Sequence, residues 1–327
     1  MELILQTFGT AISRDMEGFV ITNKEGRKRI PCDQISSIQM GKGTQITSDA
    51  ILLAVENEIE VLFINRTGNP EGRVWSPRYG SISTIRKGQL AFTESKAATE
   101  WIRAVIAKKI LNQQALLLTM QSANSRVRNQ ITDKAVSRLE TYLNKIKNME
   151  EGFVYDLGAT LRGWEGSASR IYFSTWNAFL PELYHFERRS QHPAMDPVNA
   201  LLNYGYGILY GKIEGCLIKA GIDPYIGILH RDMYNRPVLV YDVIEIYRAW
   251  IDYVVYSLTM QGVITEDFYS KGENGACWLE NLGRRILIQS VNDYLEEQIE
   301  DKGLIRSRLT HLSLYAQHLA QIFKQYQ

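Results

Sequence analysis

The stretch "MDPVNALLNYGYGILYGKIEGCLIKAG", residues 195–221, reads as one helix with both ends marked. Asp196 is a strong N-cap residue, Pro197 occupies the first helical position, and Gly221 follows the end, where a left-handed residue closes a helix. Helical periodicity continues on both sides. Helices are expected from about Thr93 to Gln121 with a break near "SANSR", from about Thr132 to Met149, and over "GWEGSASRIYFSTWNAFL" (163–180), which places Glu165 in its first turns. Later helices are expected over 239–262, 277–299 and 303–325.

The beginning of the chain has a different character. "ELILQTF" and "GFVITNKEGRKRIPC" have strand-like composition, and the second is folded back by the turn signal "NKEG". "ISSIQM" is a further strand, "TSDAILLAVENE" a short helix capped by Ser48 or Asp49, and "IEVLFIN" a buried strand. The Gly-, Pro- and Ser-dense "RTGNPEGRVWSPRYGS" after it is the natural boundary. The fold class expected is α+β with two domains: a small β-rich one over residues 1–84 and a larger all-α one over 85–327.

A chain of 327 residues with 45% apolar and 10% aromatic residues supports a sizeable core and argues against disorder. Eighteen tyrosines against ten phenylalanines suggest many half-buried positions with a polar end. Cys32, Cys216 and Cys277 form neither a zinc spacing nor a disulfide framework, which points to a reducing, cytoplasmic setting. "MELILQTFGT" lacks the basic region and long apolar run of a signal peptide, and "AILLAV" is too short to cross a bilayer, so no membrane association is expected.

The formal net charge of +1 hides an uneven distribution. Between Arg86 and Asn148 twelve Lys/Arg face four acids. That stretch reads either as a solvated helix exterior or as a basic stripe facing phosphate. Nucleotide-binding glycine loops and the GxSxG, HExxH and CxxC patterns are absent from the sequence.

"GILHRDMYNRPVLVYDVIEIYRAW", residues 227–250, carries His230 ahead of an apolar segment holding Asp242, Glu245 and Arg248 at three-residue intervals. On a continuous helix those three share one side. Intrahelical Glu–Arg pairing with a satisfied loop histidine explains the pattern, and so does part of a metal site. Glu165, His230, and Asp242 with Glu245 would make a Glu/His/Glu set, suited to Mg²⁺ or Mn²⁺ and poor for structural zinc. Spacing does not establish that they meet.

Four ordered blocks carry a resemblance: "GWEGSASRIYF", "DPVNALLNYGYGILY", "AGIDPYIGILH" and "VYDVIEIYR". They resemble the diagnostic blocks of the Cas-one family, the CRISPR-associated endonuclease and integrase of spacer acquisition. "IPCDQISSIQMGKGTQITSDAILLAVENEIEVLFINRTGNPEGRV" fits the family's amino-terminal domain, and the resemblance spans about residues 1–290. It implies a β-rich dimerisation domain (1–84) and a helical, metal-dependent catalytic domain (85–327). It implies Glu165, His230 and Glu245 as catalytic ligands of Mg²⁺ or Mn²⁺, with Asp242 beside the site and Arg248 holding Glu245 or a phosphate. Some members carry aspartate where Glu245 stands. Homodimers are implied, with two of them flanking a dimer of the partner Cas-two on double-stranded DNA, the spacer precursor and the CRISPR repeat. Arg103, Lys108, Lys109, Arg126, Arg128, Arg188 and Arg189 would then face DNA, and Tyr204, Tyr206 and Tyr210 either pack in the core or stack on DNA ends. The activity expected is insertion of spacer DNA by attack of a 3′-hydroxyl on a repeat phosphodiester. A stand-alone structure-specific nuclease and a non-catalytic DNA-binding scaffold are the alternatives.

Overall fold

"NKEG" does turn the chain: Gly26 sits at φ +137°, and the strands on either side of the turn pair antiparallel from Gly18 opposite Pro31 to Asn23 opposite Gly26. The structure is a computed structural model that describes residues 2–16, 18–35, 37–65, 68, 70–74, 83–121, 126–230 and 236–326, without the side chains of Arg126 and Val127. Two compact units divide it, Met1–Ser81 and Ile82–Gln327.

The first unit contains β1 (Glu2–Leu5), β2 (Ala11–Arg14), β3 (Gly18–Asn23), β4 (Gly26–Pro31), β5 (Ser37–Met40), β6 (Gln45–Ile46), α1 (Ser48–Glu56), β7 (Glu60–Ile64) and β8 (Pro70–Arg73). They form two four-stranded sheets, ordered β1-β5-β7-β8 and β4-β3-β2-β6. Pairing is parallel for β1–β5, β5–β7 and β2–β6, and antiparallel elsewhere. Leu3, Ile12, Phe19, Ile38, Met40, Ala50, Leu53 and Val61 from both sheets and α1 share one core. Edge strand β4 exposes Arg27, Lys28 and Arg29, charges that discourage edge-to-edge pairing. The cap of α1 is Thr47, whose side chain accepts from Ala50 N, not Ser48 or Asp49.

The second unit comprises α2 (Ser83–Thr93), α3 (Lys96–Met120), α4 (Arg126–Lys147), α5 (Val154–Trp176), α6 (Pro197–Lys219), α7 (Val238–Ile244), α8 (Arg248–Met260), β9 (Tyr269–Lys271), β10 (Cys277–Leu279), α9 (Asn281–Glu296), β11 (Gln298–Asp301), β12 (Leu304–Ser307) and α10 (Arg308–Lys324). Helices dominate, with two antiparallel ribbons, β9–β10 and β11–β12, inserted near the end. Helix α6 forms as its sequence dictates: Asp196 accepts from Asn199 N at 2.8 Å, and Gly221 has φ +83°. It is buried nearly all round, as a helix apolar on every face must be.

Five helix expectations change. The helix expected from Thr93 is α3, which starts at Lys96 under the cap of Ser95, and a separate helix, α2, precedes it where none was expected. Helix α5 starts at Val154, which puts Glu165 in its middle and not in its first turns. The glycines at 158 and 163 mask that first half in the sequence, since glycine is a poor helix former. The expected 277–299 helix gives its ends to β10 and β11, and the last helix begins after β12. Finally, the expected 239–262 helix is broken at 245–247 into α7 and α8. The expected break at "SANSR" falls mostly outside the described residues. No helix among the described residues is long and apolar enough to cross a membrane.

Candidate active site

Asp242 and Glu245, three residues apart, serve different partners on either side of the turn between α7 and α8. On a straight helix Asp242, Glu245 and Arg248 would form one row. Instead Tyr247 N bonds Ile244 O at 2.9 Å, tightening the chain into a turn, and Asn112 of α3 holds that turn through Ile246 O at 2.7 Å. Asp242 bonds residues 228–230, while Glu245 pairs with Lys109 of α3.

Lys109 lies one helical turn before Asn112 on α3. Its ammonium pairs with a carboxylate oxygen of Glu165 from α5 and one of Glu245. Ser169, one turn after Glu165, donates to the same Glu165 oxygen at 2.8 Å. Gln113 in turn reaches Ser169 Oγ at 3.4 Å. Arg248 Nε donates to the other Glu245 oxygen at 2.8 Å. Burial alone would push the Lys109 ammonium down, but Glu245 and Glu165 outweigh it and hold its pKa above the ordinary lysine value. Burial would likewise raise Glu245; Arg248 and Lys109 prevail and bring it down to about 2. Two carboxylates thus converge on one cation.

Asp242 is fully buried and accepts four hydrogen bonds. Three come from the backbone N–H groups of Ile228 (2.7 Å), Leu229 (3.1 Å) and His230 (3.1 Å), the fourth from His230 Nδ1 at 2.7 Å. A Cβ on Gly227 would meet His230 O at 2.3 Å, so only glycine permits this tight approach. Gln89 of α2 clamps the preceding turn, donating to Asp223 O (2.7 Å) and Ile226 O (3.0 Å) and accepting from Asp223 N (3.0 Å). Arg162 of α5 bonds Leu229 O at 3.0 Å. Burial depresses the His230 imidazole, but the hydrogen bond and charge of Asp242 outweigh it and raise its pKa above the usual value. Nδ1 is thus the ring nitrogen that carries the bond to Asp242.

Behind these groups Arg248 lies over the Tyr206 ring, 4.6 Å from its centroid. Tyr206 and Tyr172 both donate to Asp252, the latter at 3.0 Å. Burial dominates at Asp252 and lifts its carboxyl to about 6. Tyr204 and Tyr206 are core residues, whereas Tyr210 is half-buried against Tyr241 and Pro237 O.

The basic residues separate by environment. Lys108, Arg128 and Arg188 are exposed. Lys109 is buried in the carboxylate cluster and does not face outward. Arg103 donates to Ile146 O (2.9 Å) and Lys147 O (2.9 Å), capping the end of α4. Arg189 is held by Asn199 Oδ1 (2.5 Å), Asn203 Oδ1 (2.6 Å) and Ser190 O (2.8 Å), and lies over the rings of Phe173 and Tyr206. The Arg126 side chain lies outside the described residues. Helix α4 supplies further exposed cations at Lys134, Arg138, Lys145 and Lys147.

Sequence reasoning missed Lys109 as a cluster member, together with Asn112, Gln113 and Ser169. The available signal was Lys109, Asn112 and Gln113 at helical spacing on a face otherwise carrying Ile102, Ile106 and Ile110.

Among the described residues no group of three or more His, Cys, Asp or Glu stands together as a metal-ligand cluster. The donor types nevertheless fit Mg²⁺ or Mn²⁺. Glu165 and Glu245 already share a cation, and a carboxylate-bonded imidazole is the usual form of a metal-ligating histidine.

The family model for CRISPR associated protein Cas1 matches residues 3–293. The chain is 31% identical over 319 residues to CRISPR-associated endonuclease Cas1 1 of Archaeoglobus fulgidus, covering 93% of this chain and 90% of that one. Its fold is similar to a CAS1 protein from Thermotoga maritima, with TM-score 0.83 at 18% identity, covering 100% of this chain and 98% of that one. It is also similar to a chain of a Cas6-RT-Cas1–Cas2 complex, with TM-score 0.81 at 25% identity; all of this chain corresponds to 35% of that longer polypeptide. Sequence and fold agree: the chain belongs to the CRISPR associated protein Cas1 family.

Proposed function

We propose that this chain is the metal-dependent integrase and endonuclease of CRISPR spacer acquisition. The observation that carries the reading is the convergence of Glu165 and Glu245, from separate helical elements, on one cation position beside Arg248. The names of the relatives support it: the archaeal relative is called an endonuclease, and one matched fold comes from a complex with Cas2. The assembly that follows is a homodimer through residues 1–84, two of which flank a Cas-two dimer on double-stranded DNA.

In the reaction a spacer 3′-oxygen forms a bond to a repeat phosphorus, and the bond from that phosphorus to the repeat's own 3′-oxygen breaks. The proton leaves the attacking hydroxyl and a proton joins the departing oxygen. One phosphodiester replaces another, so no nucleotide cofactor is required. Glu165, His230 and Glu245 would hold a Mg²⁺ or Mn²⁺ that polarises a non-bridging phosphate oxygen. The other residues prepare the ground. Asp242 fixes the His230 ring and its tautomer. Arg248 orients Glu245 and adds positive charge where the phosphate gains negative charge. The exposed cations of α4, with Lys108 and Arg188, would bind DNA phosphates without regard to sequence.

Product analysis tests the reading. Purified chain and partner, labelled spacer DNA and a repeat plasmid should give joined spacer–repeat DNA only with Mg²⁺ or Mn²⁺. Nicked repeat DNA without joining would make the chain a nuclease using water, and binding without either product would make it a scaffold.

A further inference from the structure

Lys109 is only 6% exposed, and a buried lysine needs a compensating charge. It has two, Glu165 and Glu245, the carboxylates assigned above as metal ligands. Arg248 already neutralises one of them through Glu245 Oε1. The Lys109 ammonium is left to balance Glu165, whose other partner is the neutral Ser169 hydroxyl. Without that ammonium the two carboxylates would face each other with no cation between them, an arrangement that like-charge repulsion opposes.

We propose that Lys109 is a built-in counter-cation, holding Glu165 and Glu245 in place before a divalent ion arrives, and that Mg²⁺ or Mn²⁺ binds by displacing its ammonium. The inference rests on the ligand reading of Glu165 and Glu245. A divalent ion drawn to the same two carboxylates meets a positive charge already between them, and the two cations repel. The flexible four-carbon stem of lysine permits the withdrawal without movement of α3. Lys109 therefore keeps the ligands preorganised and, as a competitor, lowers their affinity for the metal. The site fills only when free divalent ion outcompetes the tethered ammonium.

Calorimetric titration with MnCl₂ on the full chain tests this, using wild type, Lys109→Met, Lys109→Arg and Glu165→Gln. Lys109→Met should bind Mn²⁺ about tenfold more tightly, the scale on which groups around ligands tune metal affinity. It should melt lower than wild type without metal and gain more in melting temperature when Mn²⁺ is added. Lys109→Arg, which keeps the charge, should stay near wild-type affinity, and Glu165→Gln should lose binding. Should Lys109→Met not fold, reductive methylation of wild type followed by peptide mass spectrometry decides. Lys109 should be protected without metal and become reactive with saturating MnCl₂. Equal or weaker Mn²⁺ binding by Lys109→Met, or labelling that Mn²⁺ leaves unchanged, would overturn the role of Lys109 alone. Failure of both wild type and Lys109→Met to bind Mn²⁺ would overturn the ligand assignment and this inference with it.

Discussion

Asp242 accepts the Nδ1–H of His230 at 2.7 Å, and the same carboxylate gathers the backbone N–H groups of residues 228–230. One buried side chain thus sets both the position of the segment and the orientation of its imidazole. Asp242 belongs to the support of the site, while Glu245, three residues later, belongs to the cation cluster.

Asp242→Asn should keep measurable strand-transfer activity, reduced about 10–100-fold and rising with added Mn²⁺. The amide keeps one acceptor and turns a donor toward N–H groups, so stability should fall by about 1–3 kcal/mol for the unsatisfied buried group. Activity against Mn²⁺ concentration and denaturant melts check the two effects. An inactive Asp242→Asn that stays inactive at high Mn²⁺ would move Asp242 among the ligands.

Much of the fold was legible because local signals coincide with it. "NKEG" marks the β3–β4 hairpin and Asp196-Pro197 with Gly221 brackets α6. The split between α7 and α8 was not legible, because Asn112, distant in sequence, helps to hold the turn. The β11–β12 ribbon was missed although "DKG" at its turn is a hairpin signal, with Lys302 at φ +52° and Gly303 at φ +78°. For the site, the resemblance of blocks supplied Glu165, His230 and Glu245; spacing could not, because tertiary packing brings Glu165 and Glu245 together. Lys109 looked like one cation in a basic stripe, and only burial separates it from exposed Lys108.

Asp252 gives a pH signature. Its carboxyl is raised from 3.8 to about 6. The folded state therefore holds this proton more tightly than the unfolded chain. The stability it contributes is complete below 3.8 and is lost as pH rises through about 6. Relative to Asp252→Asn, the wild type should lose about 3 kcal/mol across that window, at about 1.4 kcal/mol per pH unit. Denaturant midpoints of both proteins at pH 4, 5, 6 and 7 measure it; parallel curves would remove the buried carboxyl from the account.

The exposed cations should behave differently from the buried ones. Neutralising Lys108, Arg128, Lys134 and Arg138 together should weaken binding to any duplex and make the salt dependence shallower by about 0.9 per lost phosphate contact. Replacing Arg103 or Arg189 should instead lower stability, since each satisfies carbonyl or amide oxygens inside the protein. Salt titrations of DNA binding and thermal melts separate the groups. An unchanged slope in the quadruple variant would return α4 to an ordinary solvated face.

Removing residues 1–81 should leave a folded, monomeric helical unit that does not assemble with the partner, if dimerisation lies in the β-rich unit. Sedimentation decides: a persistent dimer would place the interface in the helical unit.

Glu165, His230 and Glu245 should act as one set in metal-dependent DNA strand transfer. The deciding measurement is joined spacer–repeat product as a function of Mg²⁺ and Mn²⁺ for Glu165→Gln, His230→Ala and Glu245→Gln, beside DNA binding without metal. All three should bind DNA as wild type does, and none should form joined product at any metal concentration. Joined product from Glu245→Gln at wild-type rates would contradict this.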